Sequence, residues 1–301
     1  MKMRNLVGMI ILVTALVEGT GLASADQKIV VGGKNFTEQY ILAELAKFLL
    51  EEAGFQVQLE TGVGSAVVRR SLLNDQIDLY YEYTGTAYTV YHQGSNPEIM
   101  TDSKRVYEWV KEADAKEGLV WLRPVALNNT YNLIMRKGQA DRLGLKTISD
   151  LGRYINQQPE GLVVGVNAEF WERPDGFKPL MKTYDFRIPY SRVKKMDSGL
   201  LYQALKDKQV DVSMGFATDG RIAAFDFIRL RDNKHFFPVY NPAPVLRKQV
   251  LDEYPRIPEI LGPLAEKLTT EEMQRLNAEV DMKHKDAGSV ARDWLGEKGL
   301  L

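Results

Sequence analysis

The stretch DLYYEYTGTAY, Asp78 to Tyr88, holds four tyrosines in eleven residues, sets acids among them and then breaks into Thr-Gly-Thr. Aromatic faces carry negative quadrupoles. A cluster of them attracts a cation that cannot donate hydrogen bonds, such as a quaternary ammonium, by roughly 0.5–2 kcal/mol per ring. The two-residue period of a strand divides these rings. Ile77, Leu79 and Tyr81 face one packing layer and Tyr80 the other, so Tyr80 and Tyr81 read as core. Tyr83 differs, because it stands where the strand gives way to the Thr84-Gly85-Thr86 turn. Tyr131 and Tyr240 lie in two later extended segments and are the further candidates for such a cluster.

Covalent chemistry finds little support. His92, His235 and His284 lie far apart, and neither Gly-x-Ser-x-Gly nor His-Glu-x-x-His occurs. The turn TGVGSAVVRR, 61–70, lacks the spacing of a phosphate-binding loop and reads as a tight turn capped by Ser65. The chain has no cysteine, so neither a disulfide framework nor a thiolate metal site is possible, and no lipidated cysteine is available as an anchor. A formal net charge of −1 argues against a nucleic-acid partner, which calls for a basic face.

The first 25 residues combine Lys2 and Arg4, an apolar run from Leu6 to Val17 and Ala23-Ser24-Ala25. This is the pattern of an export signal cleaved after Ala25. The expected location is therefore the periplasm, without a lipid anchor. Strand and helix patterns then alternate: KIVVG at 28–32, a helix with Ile41, Leu45 and Leu49 on one face and an Asn35/Glu38 capping box, FQVQL at 55–59, a helix from Ser65, and a strand at 77–83. Such alternation belongs to an α/β domain with parallel strands.

The later half echoes the earlier one. Val30-Val31-Gly32 precedes Val163-Val164-Gly165 by the same interval that separates Asp78 from Asp211, which indicates two lobes of similar plan. By that echo Tyr83 corresponds to Phe216, and ligands of open α/β sheets bind beyond the carboxyl ends of the strands. Extended segments at 119–136 and 227–247 would join the lobes, and helices are expected at 256–268, 270–282 and 286–298. The domain plan is a signal peptide at 1–25, a discontinuous lobe one at 26–130 and 240–301, and lobe two at 131–239.

Four segments, VVGGKNFTEQYILAELAKFLLEEAGFQV, IDLYYEYTGTAY, AEFWERPDG and QVDVSMGFATDGR, together resemble the substrate-binding proteins of osmoprotectant ABC transporters, the glycine betaine/choline/proline betaine family. The resemblance covers nearly the whole mature chain. It implies an α/β type II periplasmic-binding-protein fold, with two lobes joined by a two-segment hinge and the ligand cleft between them. It also implies no catalysis and no cofactor. The partners it implies are a betaine or choline ligand and an inner-membrane permease with its ATPase, served by a monomeric receptor.

Carried over by motif, Lys34 becomes a carboxylate-side residue, Tyr83 a wall of the aromatic box and Thr86 a hydrogen-bond donor. Arg173 becomes the clamp for the ligand carboxylate, and Tyr131 and Tyr240 supply further box rings. Phe216 stands where many relatives have tyrosine, which keeps the ring face and loses a hydroxyl, so weaker affinity is expected. Glycine betaine is the first expectation. Choline would leave Lys34 and Arg173 as unpaired cations, although Asn128 and Asn129 could bond its hydroxyl. An enzyme on this fold would have to use Glu169 and Asp219, the nearest acids. A sensor role is a further alternative. Trp121 and Trp171 are expected near enough to the cleft to report closure.

Overall fold

The computed structural model describes residues 28–301, and the export signal read at 1–25 lies outside them. Strands β1 (Lys28–Lys34), β2 (Gln56–Val63), β3 (Leu79–Tyr83) and β4 (Leu119–Trp121) belong to a first sheet. Strands β5 (Tyr131–Arg136), β6 (Val164–Val166), β7 (Val193–Lys195), β8 (Val212–Phe216) and β9 (Phe227–Leu230) form a second, and β10 (Pro242–Arg247) returns to the first. The strand orders are β2-β1-β3-β10-β4 and β7-β6-β8-β5-β9. In each sheet one strand, β10 or β5, runs antiparallel to both of its neighbours, while β1 and β6 pair in parallel on both sides. The two plans are therefore the same, and they make up the mixed α/β type II fold.

The repeat has a chemical cause in two aspartates. Asp78 accepts from the Val30 amide at 2.7 Å and Asp211 from the Val163 amide at 2.9 Å. Each in turn gives its own amide to that residue's carbonyl, at 2.8 and 2.7 Å. Each also meets the arginine that ends the antiparallel strand, Arg247 for Asp78 and Arg136 for Asp211. One carboxylate thus ties the central parallel strand of a sheet, β1 or the start of β6, to its antiparallel strand, twice over. Charge-assisted bonds of this kind are stronger than neutral ones, and the matching aspartates at a fixed interval record that shared task.

Helix Thr37–Glu52 forms because Ile41, Leu42, Leu45 and Leu49 recur on one face, and all four are buried. They share one core with Leu264, Met273, Leu276 and Trp294 from the C-terminal helices Ile257–Lys267, Thr270–Asp281 and Ala287–Glu297. Each aliphatic side chain so buried contributes about 1.5–3 kcal/mol, which fastens the C-terminal end of the chain onto the first sheet. Among the described residues no helix is long and apolar enough to cross a membrane.

Two expected caps are absent. Phe36, not Asn35, precedes the first helix and offers no side-chain cap. Glu38 is not part of a capping box because its carboxylate is buried and receives the Tyr83 hydroxyl and the Asn129 amide. Helix Ser65–Leu73 is capped by Gly64 without a side-chain bond, and Ser65 becomes its first residue.

Candidate functional site

The Thr84-Gly85-Thr86 turn anchors a crossing between the two sheets. The Thr84 amide donates to Asn241 O at 3.1 Å, its hydroxyl donates to Val239 O at 3.0 Å, and that hydroxyl accepts from the Asn241 amide at 3.2 Å. Gly85 is required by the close approach. A Cβ there would lie 2.7 Å from Val239 O and 2.8 Å from the Tyr240 ring. The second crossing lies alongside the first, with Asn129 N donating to Tyr240 O and Tyr240 N donating to the Asn128 side chain. Asn128 therefore holds the crossing, and only Asn129 of the expected pair lines the cavity. These ties position Tyr83, Tyr131 and Tyr240 at one place between the sheets.

That place is a cavity, and Lys34, Tyr83, Thr86, Tyr131, Arg173, Phe216 and Tyr240 all line it. Its rings form a continuous wall. Tyr131 lies 5.3 Å from Phe216 and 5.5 Å edge-on from Tyr240 between ring centroids, and it stacks on Phe170 at 4.6 Å. Phe216 stacks on Phe36 at 5.4 Å, and Phe36 leans on Tyr83 at 6.1 Å. Sequence reasoning missed Phe36. It sits inside the KNFTEQ motif two residues after Lys34, yet no periodicity distinguishes it from a core phenylalanine.

The polar end differs from expectation in its charge balance. Arg173 is buried, and four of its N–H groups are engaged. Nε and Nη2 grip the two Asp175 oxygens at 2.6 and 2.7 Å, Nη2 also donates to the Thr86 hydroxyl at 3.1 Å, and Nη1 donates to Glu169 at 3.1 Å. Lys34 Nζ donates to Glu82 at 2.5 Å. The cations that a choline-like ligand was expected to leave unpaired are thus paired already by Glu82 and Asp175, an approach that the sequence does not signal. Burial opposes the ionisation of Asp175. The Arg173 guanidinium, with hydrogen bonds from Thr89 and Tyr240, outweighs it and holds the carboxyl below its usual range. Burial likewise opposes Glu169, and Arg173, Lys34 and Ser65 together keep its carboxyl low.

Several of these contacts close the seam between the sheets. Thr86 and Thr89 follow β3 of the first sheet, whereas Arg173 and Asp175 follow β6 of the second. The Phe36–Phe216 stack and the Arg221–Asp281 ion pair at 3.1 Å join the same two halves. The arrangement can enclose a small cation against ring faces and satisfy polar groups at one end.

The family comparison agrees with this geometry: a model described as the substrate binding domain of an ABC-type glycine betaine transport system matches residues 27–297. The chain belongs to this family. A glycine-betaine-binding protein of Pseudomonas aeruginosa is 38% identical over 99% of the chain and 96% of its own length. An ergothioneine transport permease/ergothioneine binding protein of Helicobacter pylori is 34% identical over 92% of the chain, which spans 49% of that longer protein. The crystal structure of a glycine betaine/carnitine/choline ABC transporter component superposes with a TM-score of 0.72 at 28% identity, covering 90% of the chain and 99% of the component.

As a member of this family the chain is a transport binding component and not an enzyme, and the two acids considered for catalysis are both occupied. Asp219 is held by Arg221 through bonds of 2.6 and 2.9 Å, and Glu169 by Arg173. His92 lies 2.6 Å from Asp114, and together with Glu117 these residues approach a metal-ligand cluster. Arg69 fills that cluster instead, taking both Asp114 oxygens at 2.6 and 2.7 Å, and the Asp114 carboxyl falls to about 2. Burial opposes that fall and the His92, Arg69 and Trp121 bonds outweigh it. Trp121 is accordingly a core residue of the first sheet and does not line the cleft. Trp171 packs edge-on to Tyr190 outside the cavity wall.

Proposed function

We propose that this protein is a periplasmic, monomeric receptor that captures glycine betaine and delivers it to an inner-membrane permease driven by an ATPase. The observation that carries the reading is the ring wall of Tyr83, Phe36, Phe216, Tyr131 and Tyr240, set beside Arg173 and Lys34 in one cavity. The rings take the trimethylammonium head, and Thr86, Lys34 and Arg173 face the carboxylate. Lobe one is 26–130 with 240–301, lobe two is 131–239, and the paired crossings are the hinge. Ligand binding stabilises the closed lobes, which the permease recognises. The glycine-betaine-binding relative supports the ligand. The relative that carries permease and binding protein in one chain supports the delivery step.

Choline is the second reading, favoured by the pairing of Lys34 with Glu82 and of Arg173 with Asp175. A ligand without a carboxylate strands no cation here.

Thermal unfolding with added ligand tests the reading. At a hundredfold excess over the dissociation constant a ligand adds about 2.7 kcal/mol, which raises Tm by roughly 5–10 °C in a chain of this size. Glycine betaine is expected to produce that rise and proline, which lacks the methylated nitrogen, to produce none. If no quaternary amine moves the transition, the receptor assignment is wrong.

A further inference from the structure

Within the proposed function, we infer that Glu169 decides whether this cleft accepts a quaternary amine that carries a carboxylate, because it sits as a like charge on the Arg173 Nη1 group that such a carboxylate must approach. Arg173 has five N–H groups. Asp175 takes two, Thr86 a third and Glu169 a fourth through Nη1 at 3.1 Å. The Asp175 pair is fixed, since this carboxylate is buried and also receives the Thr89 and Tyr240 hydroxyls, each at 2.7 Å. Thr86 is held in the turn that anchors the crossing.

Glu169 is the partner that can leave. Its side chain is 35% exposed where those of Arg173 and Asp175 are 6% and 2% exposed, and it lines the cavity itself. It comes from the short helix Ala168–Glu172 on the second sheet and bonds Ser65 of the first. A ligand carboxylate arriving at Arg173 finds one Nη1 N–H open and meets Glu169 as a like charge on the neighbouring one. It must either displace Glu169 to solvent or settle for a poorer position. A choline-like ligand, with a hydroxyl in that place, can leave Glu169 where it is and gains from the negative charge close to the ring wall.

Glu169 is therefore a specificity-determining residue, and Glu169→Gln is the informative change, since it keeps the size and hydrogen-bonding reach and removes only the charge. Calorimetric titration of wild type and Glu169→Gln with glycine betaine and with choline gives four dissociation constants. Like-charge juxtaposition is costly enough that the preference for betaine over choline should rise by roughly tenfold or more in the variant. A smaller rise, no change, or a fall overturns the inference, and parallel weakening of both ligands would mark Glu169 as a structural clasp. If wild type binds neither ligand while folded, the proposed function itself fails and this inference falls with it.

Discussion

Replacing Tyr131 by alanine is expected to weaken quaternary-amine binding by roughly 100-fold, the largest loss among the ring substitutions. The ring is the hub of the wall, touching Phe216, Tyr240, Phe170 and Phe237 at centroid distances from 4.6 to 6.1 Å. Its removal deletes one cation–π face worth about 0.5–2 kcal/mol. It also releases neighbours whose ring pairs are each worth about 0.5–1.5 kcal/mol. A combined loss near 3 kcal/mol corresponds to the stated factor. Tyr131 is buried, so the alanine variant should also unfold earlier, by an amount within the ~3–5 kcal/mol range of large aromatic truncations. Tyr131→Leu separates the two effects, because leucine retains much of the packing and none of the quadrupole. Calorimetry on the folded leucine variant should still show a loss of tenfold or more. Unchanged affinity in that variant would mean that the head group sits elsewhere.

Arg173→Ala should be as damaging to stability as the Tyr131 truncation and, unlike it, should carry a pH signature. Removing one partner of a buried ion pair costs about 3–5 kcal/mol because the other charge is stranded. The stranded group is Asp175, whose depressed pKa in the wild type makes the pair's contribution fully present above the ordinary carboxylate value near 4. That contribution is lost only as pH falls through the lower folded value. In the variant the guanidinium is gone and burial remains, so the Asp175 pKa moves above its ordinary value and the sign reverses. Stability then falls as pH rises through the raised pKa. The difference in unfolding free energy between wild type and variant should be greatest at pH 7–8 and shrink towards pH 5. The double change Arg173→Met with Asp175→Asn should recover most of the stability and none of the carboxylate binding. A pH-independent difference, or no recovery in the double variant, would contradict the buried pairing.

The parts of this molecule that the sequence makes legible are those with a local or repeating cause. Helix Thr37–Glu52 announces itself through Ile41, Leu45 and Leu49, and the two-sheet plan through Asp78 and Asp211, because one carboxylate performs the same tie in each half. Of the seven predicted cavity residues, Tyr83 and Phe216 came from the strand ends and the internal echo and Tyr131 and Tyr240 from the extended crossings, whereas Lys34, Thr86 and Arg173 came from motif resemblance alone; periodicity by itself would have ranked Tyr131 and Tyr240 no higher than packing residues. What stayed hidden depends on approach in three dimensions. Glu38 reads as a helix-capping acid and is instead an acceptor for Tyr83 across 45 positions. Glu82 alternates in a strand like any polar residue and yet neutralises Lys34. Asp175, two residues from Arg173, lay within the quoted region, but spacing cannot tell an arginine already gripped from one that waits for a ligand. That difference changes the expected ranking of betaine and choline more than any ring does.

The measurement that tests the central claim most directly compares glycine betaine with 3,3-dimethylbutanoate, in which carbon replaces the quaternary nitrogen and the shape is nearly unchanged. Choline and 3,3-dimethylbutan-1-ol provide a second matched pair without the carboxylate. If ring faces hold a cation, each charged ligand should bind roughly 100-fold or more tightly than its neutral-headed partner, the cumulative effect of several desolvated rings. Equal binding within either pair would show that the cavity selects the bulk of a tert-butyl group, and the aromatic box as a cation site would be rejected.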